Sequence, residues 1–401
     1  MENYHKHTSF SNIFTPDSAA LYEDYGKRAV ELGHKTISSV EHGWQSNYYV
    51  TYETAKKYGL KFIFGAEAYW VKDRFEKDRS NCHIILLAKS EQGRRAINEV
   101  LSEANETGYY YRPRVDIPLL LSLPPKEVVV TSACVAAWHY EDADDIMLRL
   151  ADHFRENFFF EVQNHWTDKQ KMLNQHILDL SRAHHIPIIA GLDSHYIYPE
   201  EAADREYILA AKGMHYEDED GWFMDFPDDQ TVFDRFKQQG VLSDNEIKQA
   251  MNNTDIVRDF ADYTENNRLF TQEIKMPSLY PDKTQEEKNH IYGCLISQKY
   301  KDYVKNVPAE MRKEYFDGIK MEVDTYKETN MVDYPLLDTE ILKDALAHGG
   351  LMTKTGRGSG ASYFTNTLCG FSSVDRFTSP IKLYPERFIS KSRILAGSLP
   401  D

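Results

Sequence analysis

Up to about residue 200 the chain alternates short β-branched or aromatic runs with helix-like stretches, and ligand-type side chains recur where the runs end. Candidate strands are Thr36 to Val40, Lys61 to Phe64, His83 to Leu87, Glu127 to Thr131, Asn157 to Val162 and Ile186 to Ala190. Helices are predicted over Asp17 to Leu32 and Asp168 to His184, the second with Met172, Leu173, Ile177 and Leu180 on one face. This order builds an α/β barrel or an open α/β sheet. After the strands come Glu41-His42-Gly43, Gly65-Ala66-Glu67, Ser132-Ala133-Cys134 and Gly191-Leu192-Asp193-Ser194-His195. In barrels of this kind the carboxyl rim is where a site is assembled from several strand ends. His83 departs from the rule, because it opens its strand.

His5-Lys6-His7 and Asp193-Ser194-His195 each place two ligand-type residues two apart, and in a strand such residues point to the same side. Both pairs can aim two ligands at one ion, with His42, Glu67, His83 and Cys134 near other strand termini. Imidazole, carboxylate and thiolate together suit zinc, manganese or iron better than magnesium or calcium, which prefer oxygen shells. A single structural zinc needs about four ligands. The surplus predicts a multinuclear centre of about two to three ions, able to activate water and steady the leaving oxygen of a phosphoester.

Composition narrows the rest. The 401 residues suggest two domains, and hydrophobic and aromatic fractions of 41% and 13% describe a globular chain. A formal charge of -16 argues against broad wrapping of nucleic acid, so any DNA contact must be local. The 4 cysteines are widely spaced and predict no disulfide framework. No apolar run of membrane-spanning length and no signal-like leader occur, so a cytoplasmic protein without a membrane partner is expected, in a bacterial cell or an infected host.

The motifs H-K-H, V-E-H-G, G-A-E-A-Y, C-H-I-I-L-L-A-K, T-S-A-C and L-D-S-H-Y, with Gly108-Tyr109-Tyr110-Tyr111-Arg112-Pro113-Arg114, follow one another across this half of the chain. In that order they resemble the PHP (polymerase and histidinol phosphatase) domain of polymerase III alpha subunits. The resemblance implies a PHP-type distorted (β/α)7 barrel. It also implies one metal on His5, His7, Glu67 and Asp193, a second on Glu67, His83 and Cys134, and a third on Asp17, His42 and His195. Phe14 stands where the family acid usually lies. A small insertion in Ser11 to Pro16 makes Asp17 that acid; otherwise Asp17 is the N-cap of the helix that follows. Gln163 and His165 are candidate supporting partners. His34, His139, His184 and His185 read as surface or packing histidines.

From about Glu200 the sequence turns polar and helix-favouring, with junctions expected at Glu217 to Gly221 and before Met276. The division is expected as a metal-binding domain over 1–215, a helical connection over 216–280 and a partial palm over 281–401. Gly356-Arg357-Gly358-Ser359-Gly360-Ala361-Ser362 reads as a glycine loop running into a helix, with Lys354 and Arg357 adding charge for a triphosphate. It is not a Walker A loop, which ends in Gly-Lys-Ser/Thr. With Glu386-Arg387-Phe388 and Ser398-Leu399-Pro400-Asp401, it resembles the G-R-G-S, E-R-F and S-M-P-D motifs of the polymerase III alpha palm, which has a nucleotidyltransferase-like (polymerase beta-like) fold. The resemblance implies that Gly358 and Ser359 cradle the triphosphate, Arg387 contacts its phosphates, and Asp401 is the first magnesium-binding aspartate. The loop departs from the commoner G-R-G-S-A-A-G-S after Ser359. The family's second aspartate lies beyond Asp401, so the palm is expected to need further residues or a second polypeptide before it can polymerise DNA.

The function expected is therefore that of the N-terminal part of a bacterial or phage replicative DNA polymerase, acting on primer-template DNA and deoxynucleoside triphosphates. Its PHP domain is expected to remove 3'-terminal nucleotides. The alternatives are an independent phosphoesterase acting on a small phosphomonoester, which has no use for the glycine loop, and a non-catalytic scaffold held together by its metals.

Overall fold

Seven strands in the first half alternate apolar and functional faces, and that alternation decides which side chains meet. The computed structural model describes residues 1–14, 16–45, 47–80, 82–214, 221–263, 277–352 and 358–397. They fall into two units, Met1–Phe270 and Thr271–Asp401. The strands of the first are β1 (Thr36–Ser39), β2 (Lys61–Trp70), β3 (Cys82–Ala88), β4 (Arg114–Val115), β5 (Val128–Thr131), β6 (Phe158–Gln163) and β7 (Ile188–Gly191). The sheet order is β1-β2-β3-β5-β6-β7, with β4 paired to β2.

β3 runs antiparallel to both its neighbours, whereas the other pairings are parallel. A parallel return needs a long crossover, usually a helix, and no helix is present among the described residues between β2 and β3. The reversal explains His83. Opening β3, it pairs with Tyr69 near the end of β2, and so lies on the same rim as the carboxyl ends of the parallel strands.

β2 runs past the expected end at Phe64 to Trp70. Gly65 is not a strand terminus but a close approach: a Cβ there would lie 2.7 Å from the Leu86 carbonyl oxygen of β3. Along β2, Phe62, Phe64, Ala66, Ala68 and Trp70 face an outer core. Ile63 joins an inner core with Tyr4, Ile85, Leu87, Val129, Phe159 and Ile189. By the period of two, Glu67 and Tyr69 share the inner face with Ile63, as Glu161 and Gln163 share it with Phe159.

Helices α1 (Tyr22–Glu31), α2 (Tyr48–Tyr58), α3 (Glu91–Glu106), α4 (Ile117–Leu120), α5 (Ala143–Phe154) and α6 (Asp168–His184) alternate with the strands and contribute to the outer core. Thr167 caps α6 by accepting from the Gln170 amide at 3.2 Å. The helix expected from Asp17 begins instead at Tyr22, with Leu21 as its N-cap. Residues before it form a 3-10 turn, Ser9–Ile13, in which the Asn12 side chain accepts from the Asp17 and Ser18 amides at 3.0 and 3.1 Å.

The sheet curls, and the N-terminal segment reaches both of its outer strands. His7 donates its amide to Ser194 beyond β7 at 2.7 Å, while Ser38 of β1 donates its hydroxyl to the Tyr4 carbonyl at 2.6 Å. After α7 (Ala202–Ala211) come α8 (Asp229–Gln239) and α9 (Asp244–Asn253). The turn that follows adds Val257 and Phe260 to the inner core. Asn253 donates to Ile188 of β7 at 2.7 Å, and Ala261 to the Lys89 carbonyl at 2.8 Å. The segment expected as a connection thus supplies the floor of the curled sheet: without it, the apolar side chains at that end would face water.

The described residues of the second unit are helices and turns: α10 (Gln285–Tyr303), α11 (Arg312–Glu328), α12 (Asp333–Ala347), α13 (Phe364–Cys369) and α14 (Lys391–Leu395). They hold no strand, so the sheet of a nucleotidyltransferase-like palm is not among them. Thr284 and Glu287 form a capping box on α10. Tyr292, Ile296, Tyr315, Ile319, Tyr326, Phe364 and Phe388 form the core.

Candidate metal centre

His5, His7, Asp17, His42, Glu67, His83, Cys134, Asp193 and His195 form one continuous cluster at the rim. The Nε2 atoms of His5 and His7 face Asp193 Oδ1 at 3.1 and 3.2 Å, as the alternation of an extended segment requires. Glu67 stands at the middle. One oxygen faces His83 Nδ1 at 2.9 Å and the other faces His42 Nδ1 at 2.5 Å and His7 Nε2 at 3.3 Å. Cys134 Sγ is 3.4 Å from His83 Nδ1. Asp17 Oδ2 lies 3.3 Å from His195 Nε2, so Asp17 belongs to the cluster and caps no helix.

Among the described residues, three groupings have ligand atoms close enough to hold an ion: His5, His7 and Asp193; His42, Glu67 and His83; and His7, His42 and His195. Each keeps at least two residues of one expected set. Cys134 and Asp17 lie at the margins, each beside a member of a group.

The cluster carries an excess of buried polar atoms. His5 Nε2, His7 Nε2, His42 Nδ1, Asp17 Oδ1 and both oxygens of Glu67 are buried and, although most of them face one another closely, make no well-aligned hydrogen bond. Buried polar atoms are normally paired, and so dense a group without aligned partners is what a site for a bound cation presents. The residues therefore fit metal ions, and their mixed nitrogen, oxygen and sulfur donors are those of transition metals.

Electrostatics agree. Against the burial that would lower it, Glu161 and Asp193 hold His5 well above the ordinary imidazole range. Burial likewise opposes the rise at His7, which Glu67 and Asp193 nevertheless bring to about 9. His83 is raised against burial by Glu67 and Cys134. Burial and the neighbouring His7 push His42 down to about 4. Glu67 and Asp193, despite burial, are held well below the carboxylate range by the surrounding imidazoles. Burial pushes the Cys134 thiol up. Carboxylates thus stay charged while histidines compete for protons, a state that a cation would relieve by displacing them.

Outer partners fix which nitrogen each histidine presents. His5 Nδ1 meets Glu161 Oε1 at 2.7 Å, His7 Nδ1 meets Ser11 Oγ at 3.0 Å, and His195 Nδ1 donates to the Asp193 carbonyl at 2.8 Å. Each leaves Nε2 facing inward. Ser11 in turn donates to Glu41, which also accepts from Thr8 Oγ1 at 2.5 Å and Tyr22 at 2.6 Å.

Glu161 is the residue that motif reasoning missed, and Glu41, though part of the Glu41-His42-Gly43 strand end, was assigned no role. Glu161 is buried on β6 and accepts from Tyr4, Thr131 and Gln163 at 2.8, 2.9 and 2.9 Å besides His5. Its signal was available: in Phe-Phe-Phe-Glu-Val-Gln the alternation sets Glu161 on the face of Phe159 and Gln163. Of the expected supporting partners, Gln163 donates to Glu161, and His165 accepts from the Phe223 amide at 3.0 Å while its buried Nε2 is unpaired and Asp193 acts on its charge. His34 is buried rather than exposed, and burial lowers it to about 4 despite Glu2.

In the second unit Gly358, with φ 84°, precedes the 3-10 turn Ser359–Ser362, which leads into α13 as the glycine loop predicts. The turn Pro385–Arg387 comes close to it, since Tyr363 packs on Phe388 at 5.2 Å and donates to the Ile389 carbonyl at 3.0 Å. Buried Glu322 anchors the start of α13 to α11 by accepting from the Phe364 and Thr365 amides at 3.0 and 2.7 Å, and it also accepts from Arg376 at 2.7 Å. Gly358, Ser359 and exposed Arg387 thus sit on adjoining turns. Lys354, Arg357 and Asp401 lie outside the described residues.

Residues 3–165 match the PHP domain and residues 293–401 match the bacterial DNA polymerase III alpha NTPase domain. DNA polymerase III subunit alpha of Aquifex aeolicus is 25% identical over 425 aligned positions, covering 99% of this chain and 35% of the relative. The same subunit of Campylobacter jejuni is 26% identical, with 99% and 35% covered, and that of Borreliella burgdorferi 27% identical, with 99% and 34% covered. The chain spans about a third of the length of the curated relatives it matches. No helix among the described residues is long and apolar enough to cross a membrane.

Proposed function

We propose that this chain, which matches the PHP domain over residues 3–165 and the bacterial DNA polymerase III alpha NTPase domain over 293–401, uses its buried cluster as a zinc, manganese or iron centre that hydrolyses the terminal phosphodiester of a DNA 3' end. The observation that carries this reading is the convergence of imidazoles and carboxylates whose buried inner atoms crowd together without well-aligned hydrogen bonds. His5, His7 and Asp193, with Glu67, would hold one ion, Glu67, His83, His42 and Cys134 another, and His195, with Asp17 and His7 or His42 beside it, a third. Ions bound there supply an activated water and stabilise charge on the phosphodiester oxygens.

The chain's own residues do the positioning. Glu161 keeps the His5 proton on Nδ1 and turns Nε2 inward. Ser11, pinned by Glu41, does the same for His7. Asp17, placed by the Asn12 turn, covers the His195 side of the cluster. Glu67, fully buried and held ionised by the histidines around it, is suited to bridge two cations.

For the second unit we assign Gly358, Ser359 and Arg387, with Lys354 and Arg357, to the phosphates of a deoxynucleoside triphosphate, and Asp401 to magnesium. The proximity of the two turns and the family match over 293–401 support this. Primer-template DNA would be the other substrate.

Degradation of a 5'-labelled, 3'-mismatched primer-template by metal-reconstituted protein tests the hydrolytic assignment beside a His5→Ala, His7→Ala double variant. Ladders from the wild type that vanish in the variant are expected. No ladder with zinc, manganese or iron sinks the nuclease and leaves the metals a structural role.

A further inference from the structure

The segment Gly108 to Arg114 takes no part in the metal cluster, yet it begins one ring away from it. Tyr69 stacks on His42 at 5.9 Å and meets His83 edge-on at 5.3 Å, and the Arg112 guanidinium lies 4.7 Å over that same Tyr69 ring. Next to Arg112, Tyr111 has φ 63°, a left-handed conformation that a bulky side chain rarely adopts and that tends to mark functional sites. Arg79 covers its ring at 4.1 Å and Tyr110 meets it edge-on at 4.9 Å. Tyr111 is nonetheless 60% exposed and Tyr109 57% exposed.

The arrangement is tied from below. Buried Arg114 donates to the carbonyls of Gly108, Glu76, Asp78 and Arg74 at 2.9, 2.9, 2.7 and 2.7 Å, joining the tyrosine turn to the loop that carries Arg79. Exposed tyrosines and adjacent guanidinium groups are thereby held in place before anything binds, with Arg79 also donating to the Tyr111 hydroxyl.

We propose that Tyr109, Tyr111, Arg79 and Arg112 form a platform for the last nucleotides of a single-stranded DNA 3' end, which leads over Tyr69 into the metal cluster. The proposal rests on the hydrolytic reading above and names how its substrate is seated. Aromatic rings stack on bases of any sequence, and guanidinium groups pair with the phosphates between them. In a chain of net charge -16, such a local pair of cations decides where a polyanion can settle. A small phosphomonoester, held by the metals alone, would need no exposed aromatic shelf outside the centre.

The test uses the full chain in EDTA, so that binding is read without hydrolysis. An oligothymidylate carrying 5-iodouracil near its 3' end is irradiated on the protein and the adduct mapped by peptide mass. Adducts on Tyr109 or Tyr111 are expected, and a Tyr109→Ala, Tyr111→Ala variant should bind the oligonucleotide on the order of tenfold more weakly by fluorescence anisotropy. That variant's melting temperature and manganese affinity should match the wild type, which separates lost stacking from lost folding. Adducts confined to other peptides, no adduct, or unchanged affinity overturn the platform. Adducts on the tyrosines from a protein that forms no ladder in the nuclease assay keep the platform and reject the hydrolytic reading.

Discussion

Replacing Glu161 by glutamine should weaken metal binding by roughly 50-fold without changing the shape of the site. Glutamine keeps the contacts: its oxygen still accepts from His5 and Gln163, and its amide can donate to the Tyr4 and Thr131 hydroxyls, which rotate to accept. What disappears is one negative charge. The 2.7 Å hydrogen bond, the imidazole ring and a metal-nitrogen bond together put an ion on His5 Nε2 roughly 7 Å from that charge. His5 holds a proton before metal arrives, so binding adds about one net positive charge there. At an effective dielectric of about 20 this is worth roughly 2.4 kcal/mol, or about 50-fold. That falls within the roughly 10- to 100-fold losses known for outer-partner changes. Glu161→Ala should weaken binding further, because it also strips His5 of the acceptor that selects its tautomer. Isothermal titration of metal-free protein with manganese or zinc measures both, with thermal melting to show that the variants fold. A glutamine variant that binds within threefold of wild type would refute the claim that Glu161 tunes the centre through His5.

Proton release gives a second expectation: His7 titrates at about 9, and His5 and His83 lie above their ordinary range, so metal must displace protons at neutral pH. Affinity should rise with pH through about 9, where His7 loses its proton, and heats of binding at pH 7.5 should vary with buffer ionisation enthalpy. Gly191→Ala should lose metal affinity and about 1–3 kcal/mol of stability, since the added Cβ would lie 2.0 Å from Glu161 Oε1; melting and titration together check this. Glu322→Ala should cost about 3–5 kcal/mol, because it leaves Arg376 without its carboxylate and two amides of α13 without an acceptor; chemical denaturation of the full chain reads the loss.

The cluster was largely legible because its ligands come from short motifs in which alternation is a local property. His5 and His7, or Asp193 and His195, need only an extended backbone to point together. The helix over Asp168–His184 was legible for the same reason, its apolar spacing and its Thr167 cap being neighbours in sequence. Asp17 was not settled, because whether it caps a helix or joins the cluster depends on how the Asn12 turn takes up the extra residues. The floor at Val257 and Phe260 was read as a connection because its polar, helical sequence carries no mark of the sheet it covers.

By itself, then, the sequence determined which donors are present, the strands that carry them and the mixed chemistry of nitrogen, oxygen and sulfur that favours transition metals. Only the tertiary structure decided that β3 runs backwards, carrying His83 to the common rim, that Glu161 rather than a residue of a recognised motif orients His5, and that the Pro385–Arg387 turn packs beside the Ser359–Ser362 turn. The physical reason is range. Periodicity and capping are interactions among residues a few positions apart, whereas strand direction and the pairing of buried charges depend on surfaces that meet only when distant segments pack.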